Sequence, residues 1–522
     1  MQRTLRVIFT ADCHGYLYPS DYFDAQEERM GLLSVIAAFR RDENTLVIDG
    51  GDTIQGSPFT AYLNRSGIGP KPLAGLMNMA GYDYIALGNH DFDYGNGYLG
   101  DYLGTLSAKC LCANIRDREH RLPVFSYSIH TMRNGLRVGL CGVCTEKLMR
   151  WEDRDVMGDL DVGDAVESAK NVLDLLKERT DVTICVYHGG FEFDPVTGKR
   201  LSSGIENRAE MICALGYDLV LCAHQHRSLP GKKIGGSWAV QVMNRGREFS
   251  VTDITSDDGN IRIASHSEKP GKEVFLAGKT SLDSIQARVN GQLDRPIGAF
   301  SRPLEAEEHL VSACRGSCLA NFFNIVQCEA AGCGISACNL YNEVRGFGKT
   351  VTVRDVMKAY RFPNTLVVLR LTGAEIRSYL EQCARYFTLL ETGEVVISRE
   401  YLVPKAHHYH FDYLYGLAYT VDLKCCGGDR VKRIIRLSDG KPIGEEDEAE
   451  VCFSSYRATG IGGFDMLRDK PIVREVPVPM QDLIIRYFES HPTVDPVVFS
   501  AIRFRDRDRL FILPSSAGPD RS

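Results

Sequence analysis

The sequence predicts an α/β protein of two domains, and three observations carry that prediction. Its 522 residues exceed the size at which one hydrophobic core stops growing. Through the first half, short apolar runs alternate with stretches of helical periodicity, the pattern of packed β and α layers. Around 253–281 that pattern weakens into polar, turn-rich sequence, and the second half is less repetitive. A hydrophobic share of 44% and a charged share of 25% are those of an ordinary soluble globular chain.

Residues 5–11 (LRVIFTA) read as a strand ending in Asp12, Cys13, His14 and Gly15, and residues 31–41 have helical periodicity. A second strand, 45–49 (TLVID), ends in Gly50, Gly51, Asp52 and Thr53. A helix carrying Leu73, Leu76, Met77 and Ala80 leads to the strand 84–87, which breaks at Gly88 into the loop GNHDFDYG (88–95). Further strands follow at 136–143, 182–190, 218–226 and 237–244, with a helix over 163–178. In the weak stretch DITSDDGN reads as a turn and HSEKPGKE as polar linker. Leu282, Ile285, Val289 and Leu293 then mark a helix before Pro296. The expected division is a first domain at 1–275, a linker helix at 276–300 and a second domain at 301–515.

A formal charge of -7 gives no basic footprint for nucleic acid, so an anionic substrate must be captured by local charge. No run approaches eighteen apolar residues, and the first apolar stretch is too short for a secretory h-region. The seventeen cysteines lie mostly within apolar segments and read as reduced thiols, which points to the cytoplasm. Cys141 and Cys144 have CxxC spacing, but no second pair completes a zinc set. Cys314, Cys318, Cys328, Cys333 and Cys338 crowd one region without a metal spacing. Nothing in the chain specifies an oligomeric state.

The polar residues fall in an informative place. Five strands end in side chains able to bind metal: Asp12 and His14, Asp52, Asn89, His188, and His224 with His226. One His or Asp at a strand end commonly caps a turn, but strand ends of one sheet converge on one edge, where α/β folds collect their chemistry. An all-nitrogen-and-oxygen set suits divalent Mn, Zn, Fe, Ni or Co. Seven candidates exceed the need of one ion and suit two ions about 3.5–4 Å apart with a shared carboxylate. Such a pair makes hydroxide near neutral pH and clamps phosphate oxygens.

The series DxH (12–14), GD (51–52), GNHD (88–91), His188 before Gly-Gly and HxH (224–226) resembles the calcineurin-like metallophosphoesterases. The longer block GNHDFDYG resembles their 5′-nucleotidase branch. That resemblance implies a four-layer αββα core. It implies Asp12, His14, Asp52 and His226 around one metal, and Asp52, Asn89, His188 and His224 around the other. It also implies a catalytic dyad off the metals: His90 protonates the leaving oxygen or steadies the phosphate, and Asp93 orients the imidazole. Two departures from the family pattern stand out. Asp91 replaces Glu, and is expected just outside the metal-contacting set; Ala223 replaces the Gly before HxH.

In the second half, 350–390 reads as a helix, a turn at Phe362-Pro363-Asn364, an apolar strand (366–371) and a second amphipathic helix. An aromatic loop and strand follow at 407–423, then a strand at 448–454 breaking into a glycine-rich loop flanked by Tyr456 and Phe464. The segments FPNTL, LTGxxI and YLE resemble the 5′-nucleotidase C-terminal domain, so the likeness covers nearly the whole chain and implies an α+β substrate domain. YHFDYLYGLAYTVDL and SYRATGIGGF are closer to 2′,3′-cyclic-nucleotide phosphodiesterase/3′-nucleotidases, which implies that Tyr409 and Tyr456 hold the base. ACNLYNEVRGFG stands where many relatives have NGGGIR, leaving Asn342 and Arg345 as candidate substrate contacts.

The expected activity is hydrolysis of nucleotides by metal-activated hydroxide, with the active site between the domains. A 5′-monophosphate, a 3′-monophosphate, a 2′,3′-cyclic phosphate and a UDP-sugar pyrophosphate all remain open as the ester cut. A non-catalytic nucleotide-binding protein predicts loss of ligands or dyad, and none is lost.

Overall fold

The computed structural model describes residues 2–24, 28–119, 121–146, 160–202, 204–257, 259–277, 279–362, 364–403, 405–505 and 511–512. Asp258 and Pro363, read as turn residues, lie outside the described residues, as do Gly278 of the expected linker and 506–510 and 513–515 of the expected second domain. The chain divides into two compact units, Met1–Asn290 and Gly291–Ser522, and the division falls within the helix Lys279–Leu293. Among the described residues no helix is long and apolar enough to cross a membrane.

The first unit is built on two sheets. One runs in the order Asn260–Glu268, Phe249–Asp257, Arg3–Thr10, Thr45–Asp49, Tyr84–Ala86, Lys109–Leu111, Val124–Phe125. From Arg3–Thr10 onward its strands pair in parallel. The other runs Leu229–Ile234, Ser237–Gln241, Leu219–Cys222, Val182–His188, Arg137–Cys144, Tyr127–Thr131, parallel through its middle four strands. Val7, Phe9, Leu46 and Ile48 of the first sheet share one buried core with Val138, Leu140, Ile184, Val186 and Leu221 of the second. The outer face of the second sheet, with Cys141, Val143, Cys185 and Tyr187, buries Ala165, Val172 and Leu176 of the helix Ala165–Leu176.

On the far side of the first sheet, Ile8, Val47 and Ile85 point away from the shared core and are buried as well. The helices Leu32–Ala38, Lys71–Ala80 and Gly95–Thr105, each with a buried apolar face, follow its strands in turn. This gives the αββα layering. Strands covered on both faces read as continuous apolar runs, which is why they were legible in the sequence. Phe249–Asp257 and Asn260–Glu268 form an antiparallel hairpin at the edge of the first sheet. The stretch read as a turn at 253–260 thus holds the hairpin's tip but is otherwise strand, and the polar run from His266 begins as strand too. The hairpin's outer strand, Asn260–Glu268, has no fully buried residue, so its composition imitates a linker.

The second unit centres on a five-stranded sheet, ordered Asp412–Tyr415, Ser336–Asn339, Glu448–Ser454, Leu366–Thr372, Ile472–Val476. Alternating residues feed two cores. Leu366, Val368 and Cys452 pack with the helix Cys318–Ala331, while Leu369, Leu371, Val451 and Phe453 pack with the helix Gly373–Ala384. Thr352 and Thr372 start their helices with reciprocal capping boxes. All seventeen cysteines are free thiols, with Cys141 and Cys144 buried in the core.

Candidate active site

Both sheets of the first unit send their strand ends to one rim. Asp12, Asp52 and Asn89 follow strands of the first sheet; His188 ends a strand of the second, and His224 and His226 follow its neighbour. Two groups of ligand atoms gather there, each within 4.8 Å of one another: Asp12, His14 and His226, and Asp52, His188 and His224. Asp52 lies between the groups. Its Oδ2 is 3.2 Å from His188 Nε2 and 3.8 Å from His14 Nε2, while its Oδ1 accepts the backbone N–H of His90 at 2.7 Å. His14 Nε2 and His226 Nε2 meet at 3.0 Å, and His226 Nε2 is 3.6 Å from Asp12 Oδ1.

The backbone that holds these groups is contorted. Of eight non-glycine residues with positive φ among those described, five are Asp12, His14, Asp52, His224 and His226, at φ between 48° and 73°. Left-handed backbone at a residue with a Cβ costs on the order of 1–3 kcal/mol and collects at functional sites. Glycines permit the close approach of the loops. A Cβ on Gly88 would fall 2.1 Å from Asp52 Oδ1, and one on Gly51, itself at φ 92°, would fall 2.3 Å from Gly88 N. Asp91 locks the same place: its carboxylate accepts the N–H groups of Asp52 (2.9 Å), Thr53 (2.9 Å), Ile54 (3.2 Å) and Gly88 (2.8 Å). Its position behind the ligands agrees with the expectation for the Glu-to-Asp departure.

Each imidazole is tied by its other nitrogen. His14 Nδ1 lies 3.2 Å from Gln55 O, His188 Nδ1 2.7 Å from Gly50 O, and His226 Nδ1 3.2 Å from the Asn244 amide. His224 is held from the opposite nitrogen, Nε2, by Glu206 Oε1 at 3.1 Å. Outer partners of this kind fix ring orientation and tautomer at metal sites. Neither Glu206 nor Asn244 carries a spacing signal in the sequence, and the sequence reading missed both.

The electrostatics follow from burial. Burial pushes His14 down to about 4 and, with the neighbouring His14, pushes His226 down to about 3, and it lowers His224, so all three rings are neutral at pH 7. Burial also disfavours charge on His188, but contact with Asp52 outweighs it and lifts the ring to about 10. The Asp12 carboxyl is raised by burial and by the charge of Asp52; Asp52 is held low despite its burial by His188.

The donors fit a pair of divalent cations. Asn89 Oδ1 is buried without a hydrogen-bond partner, and His188 Nε2 makes no hydrogen bond of normal geometry. Buried polar atoms are rarely left so, and His188 Nε2 faces the Asp52 carboxylate at 3.2 Å.

His90 and Asp93 form a pair beside this centre, His90 Nδ1 lying 3.0 Å from Asp93 Oδ2. Burial opposes the charged ring, yet the Asp93 hydrogen bond and the charges of Asp52 and Asp93 raise it to about 9. A cavity of about 470 Å³ opens over the rim, lined by Asp52, His90, Glu206, His224, His226 and Arg227 among others.

Residues 5–228 match the family of calcineurin-like phosphoesterases, and residues 291–469 match the 5′-nucleotidase C-terminal domain. The chain is a calcineurin-like phosphoesterase joined to a 5′-nucleotidase C-terminal domain. Over 94% of its length this phosphoesterase is 26% identical to the trifunctional nucleotide phosphoesterase protein YfkN of Bacillus subtilis, and spans 38% of that relative. Over 93% it is 24% identical to a 2′,3′-cyclic-nucleotide 2′-phosphodiesterase/3′-nucleotidase of Haemophilus influenzae, covering 84% of it. A Staphylococcus aureus crystal structure described as a proposed 5′-nucleotidase superposes with a TM-score of 0.79 at 26% identity, covering 96% of this chain and 100% of that one.

The candidate base contacts in the phosphoesterase's second unit divide. Tyr409 and Tyr456 are both half-buried; the Tyr409 hydroxyl bonds His407 Nδ1 at 2.7 Å, and Tyr456 lies within electrostatic reach of Tyr409 and Tyr341. The fully buried Arg457 links the segments that carry them, donating to Tyr409 O (2.8 Å) and Ile461 O (2.6 Å) and bidentately to Asp412 (2.7 and 2.8 Å). Phe464 is a correction: it is 0% exposed, packed on Tyr379 and beneath Arg457, and so is core and no stacking platform. The Asn342 side chain donates to Ala406 O (2.8 Å) and accepts from His408 N (3.0 Å), bracing the segment that carries Tyr409. Arg345 is exposed. His408 stacks on His309, and among the described residues no third metal-binding group gathers.

Proposed function

We propose that the chain hydrolyses phosphoesters of nucleotides, with Asp12, His14, Asp52 and His226 holding one divalent cation and Asp52, Asn89, His188 and His224 holding a second. The observation that carries this reading is the Asp52 carboxylate, set between two nitrogen-and-oxygen groups with the His90–Asp93 pair alongside. When bound, such cations supply Lewis-acid charge stabilisation and lower the pKa of water.

The chain's own residues then divide the remaining work. Asp93 fixes the His90 ring through Nδ1, and a ring raised to about 9 is charged at neutral pH. His90 can thus steady a phosphoryl oxygen or give a proton to the leaving oxygen. Asp91 holds the turn that presents Asp52. Tyr409 and Tyr456 hold the nucleobase, each stack worth about 1–3 kcal/mol.

The named activities of the two curated relatives support nucleotides as the substrate class, and the Haemophilus relative favours 2′,3′-cyclic phosphates and 3′-monophosphates. A cytoplasmic location belongs to the same proposal, supported by seventeen free thiols.

The test is a hydrolysis panel of 5′-AMP, 3′-AMP, 2′,3′-cyclic AMP and UDP-glucose with Mn²⁺, Zn²⁺ or Ni²⁺ added to metal-stripped protein. The expected result is metal-dependent release of phosphate or nucleotide, fastest for the cyclic and 3′ esters. Absence of turnover on all four, with two metals bound, would overturn the proposal.

A further inference from the structure

We infer that Glu206 is a positioning residue for one of the two cations: through His224 Nε2 it sets the orientation and tautomer of that ring within the group formed by Asp52, His188 and His224. The inference rests on the dinuclear reading above.

Three of the four imidazoles at the rim, those of His14, His188 and His226, are tied at Nδ1 to a backbone carbonyl or a side-chain amide, and turn Nε2 inward. His224 is reversed. Its Nε2 meets Glu206 Oε1 at 3.1 Å, so Nδ1 is the nitrogen left to join Asp52 and His188. A ring with its Nε2 proton engaged by a carboxylate carries its lone pair on Nδ1, the form a cation needs, and is a stronger donor than one tied to a neutral carbonyl.

A chance contact at the cavity edge would not be braced as this one is. The Glu206 side chain is 18% exposed. Its backbone carbonyl accepts two buried hydroxyls, Thr145 Oγ1 at 2.8 Å and Tyr187 OH at 3.3 Å. Thr145 follows the strand Arg137–Cys144 and Tyr187 immediately precedes His188, so the two strand ends that frame the centre also fix Glu206. The next residue, Asn207, accepts the N–H of Gly190 at 2.9 Å and pins the same segment to the loop after His188.

The experiment is a titration of metal-stripped protein with Co²⁺, followed by visible absorption and calorimetry, for the wild type, Glu206→Ala and Glu206→Gln. Two binding constants are expected for the wild type. Glu206→Ala should weaken one of them by about 10–100-fold, the usual effect of losing such a partner, and leave the other within about threefold. Glu206→Gln keeps an acceptor but no charge and should fall between. Unchanged constants in both variants would overturn the inference while leaving the dinuclear reading intact. Equal weakening of both constants together with a lower Tm of the metal-free protein would also overturn it, by making Glu206 a general support of the fold. A wild type that binds fewer than two Co²⁺ would overturn the dinuclear reading and this inference with it.

Discussion

Loading the metal-free protein with divalent cations at pH 7 should release at least about one proton per molecule from its ligand side chains. The number comes from the groups that must change state. His14 and His226, pushed down to about 4 and about 3, are already neutral, and His224 is lowered as well, so the three contribute nothing. His188, lifted to about 10 against its burial by Asp52, carries a full proton that a cation at Nε2 must displace. Asp12, raised by burial and by Asp52, adds a fraction of a second proton.

The sign for stability follows from the same groups. A folded-state His188 near 10 stabilises the metal-free protein below its unfolded value of 6.5, and that contribution is lost as pH climbs toward 10. The metal-free Tm should therefore decline from pH 7 to 10, while apparent metal affinity rises about tenfold per unit for each proton displaced. Calorimetric titration in buffers of different ionisation enthalpy measures the protons directly. Release of less than about half a proton at pH 7 would refute the assignment of His188 as a charged ligand awaiting a cation.

Three further outcomes are expected. His90→Asn should lower kcat by about 10²–10⁴-fold with metal content unchanged, read by steady-state kinetics and elemental analysis; an unaltered kcat would remove its role. Tyr456→Ala should raise KM for nucleotides far more than for p-nitrophenyl phosphate, and equal effects would make the ring structural. Asp412→Ala strands the 1% exposed guanidinium of Arg457 and should cost about 3–5 kcal/mol in denaturant unfolding. Less than about 1 kcal/mol would show that the pair is dispensable.

What the sequence made legible was set by direction. Thr45–Asp49 and its parallel neighbours are covered on both faces, so their apolar runs stand out and the polar residues after them mark the rim. Asp12, Asp52, Asn89, His188, His224 and His226 could be found because each sits just past such a run or at its end. The hairpin Phe249–Glu268 could not, since its outer strand shows polar side chains to solvent at a sheet edge. Phe464 beside a glycine loop gives no hint of which way its ring turns, and the buried Arg457 and Tyr379 decide that. Glu206 and Asn244 act through a ring nitrogen of another residue, a relation that leaves no spacing to read.

The left-handed turns at Asp12, His14, Asp52, His224 and His226 have an outcome for how the protein comes apart. Five residues in three loops, held against their own backbone preference, form a loaded spring, and on the dinuclear reading the cations are its latch. With the latch removed, hydrogen exchange should quicken first at these five residues, while the sandwich beneath them stays shut.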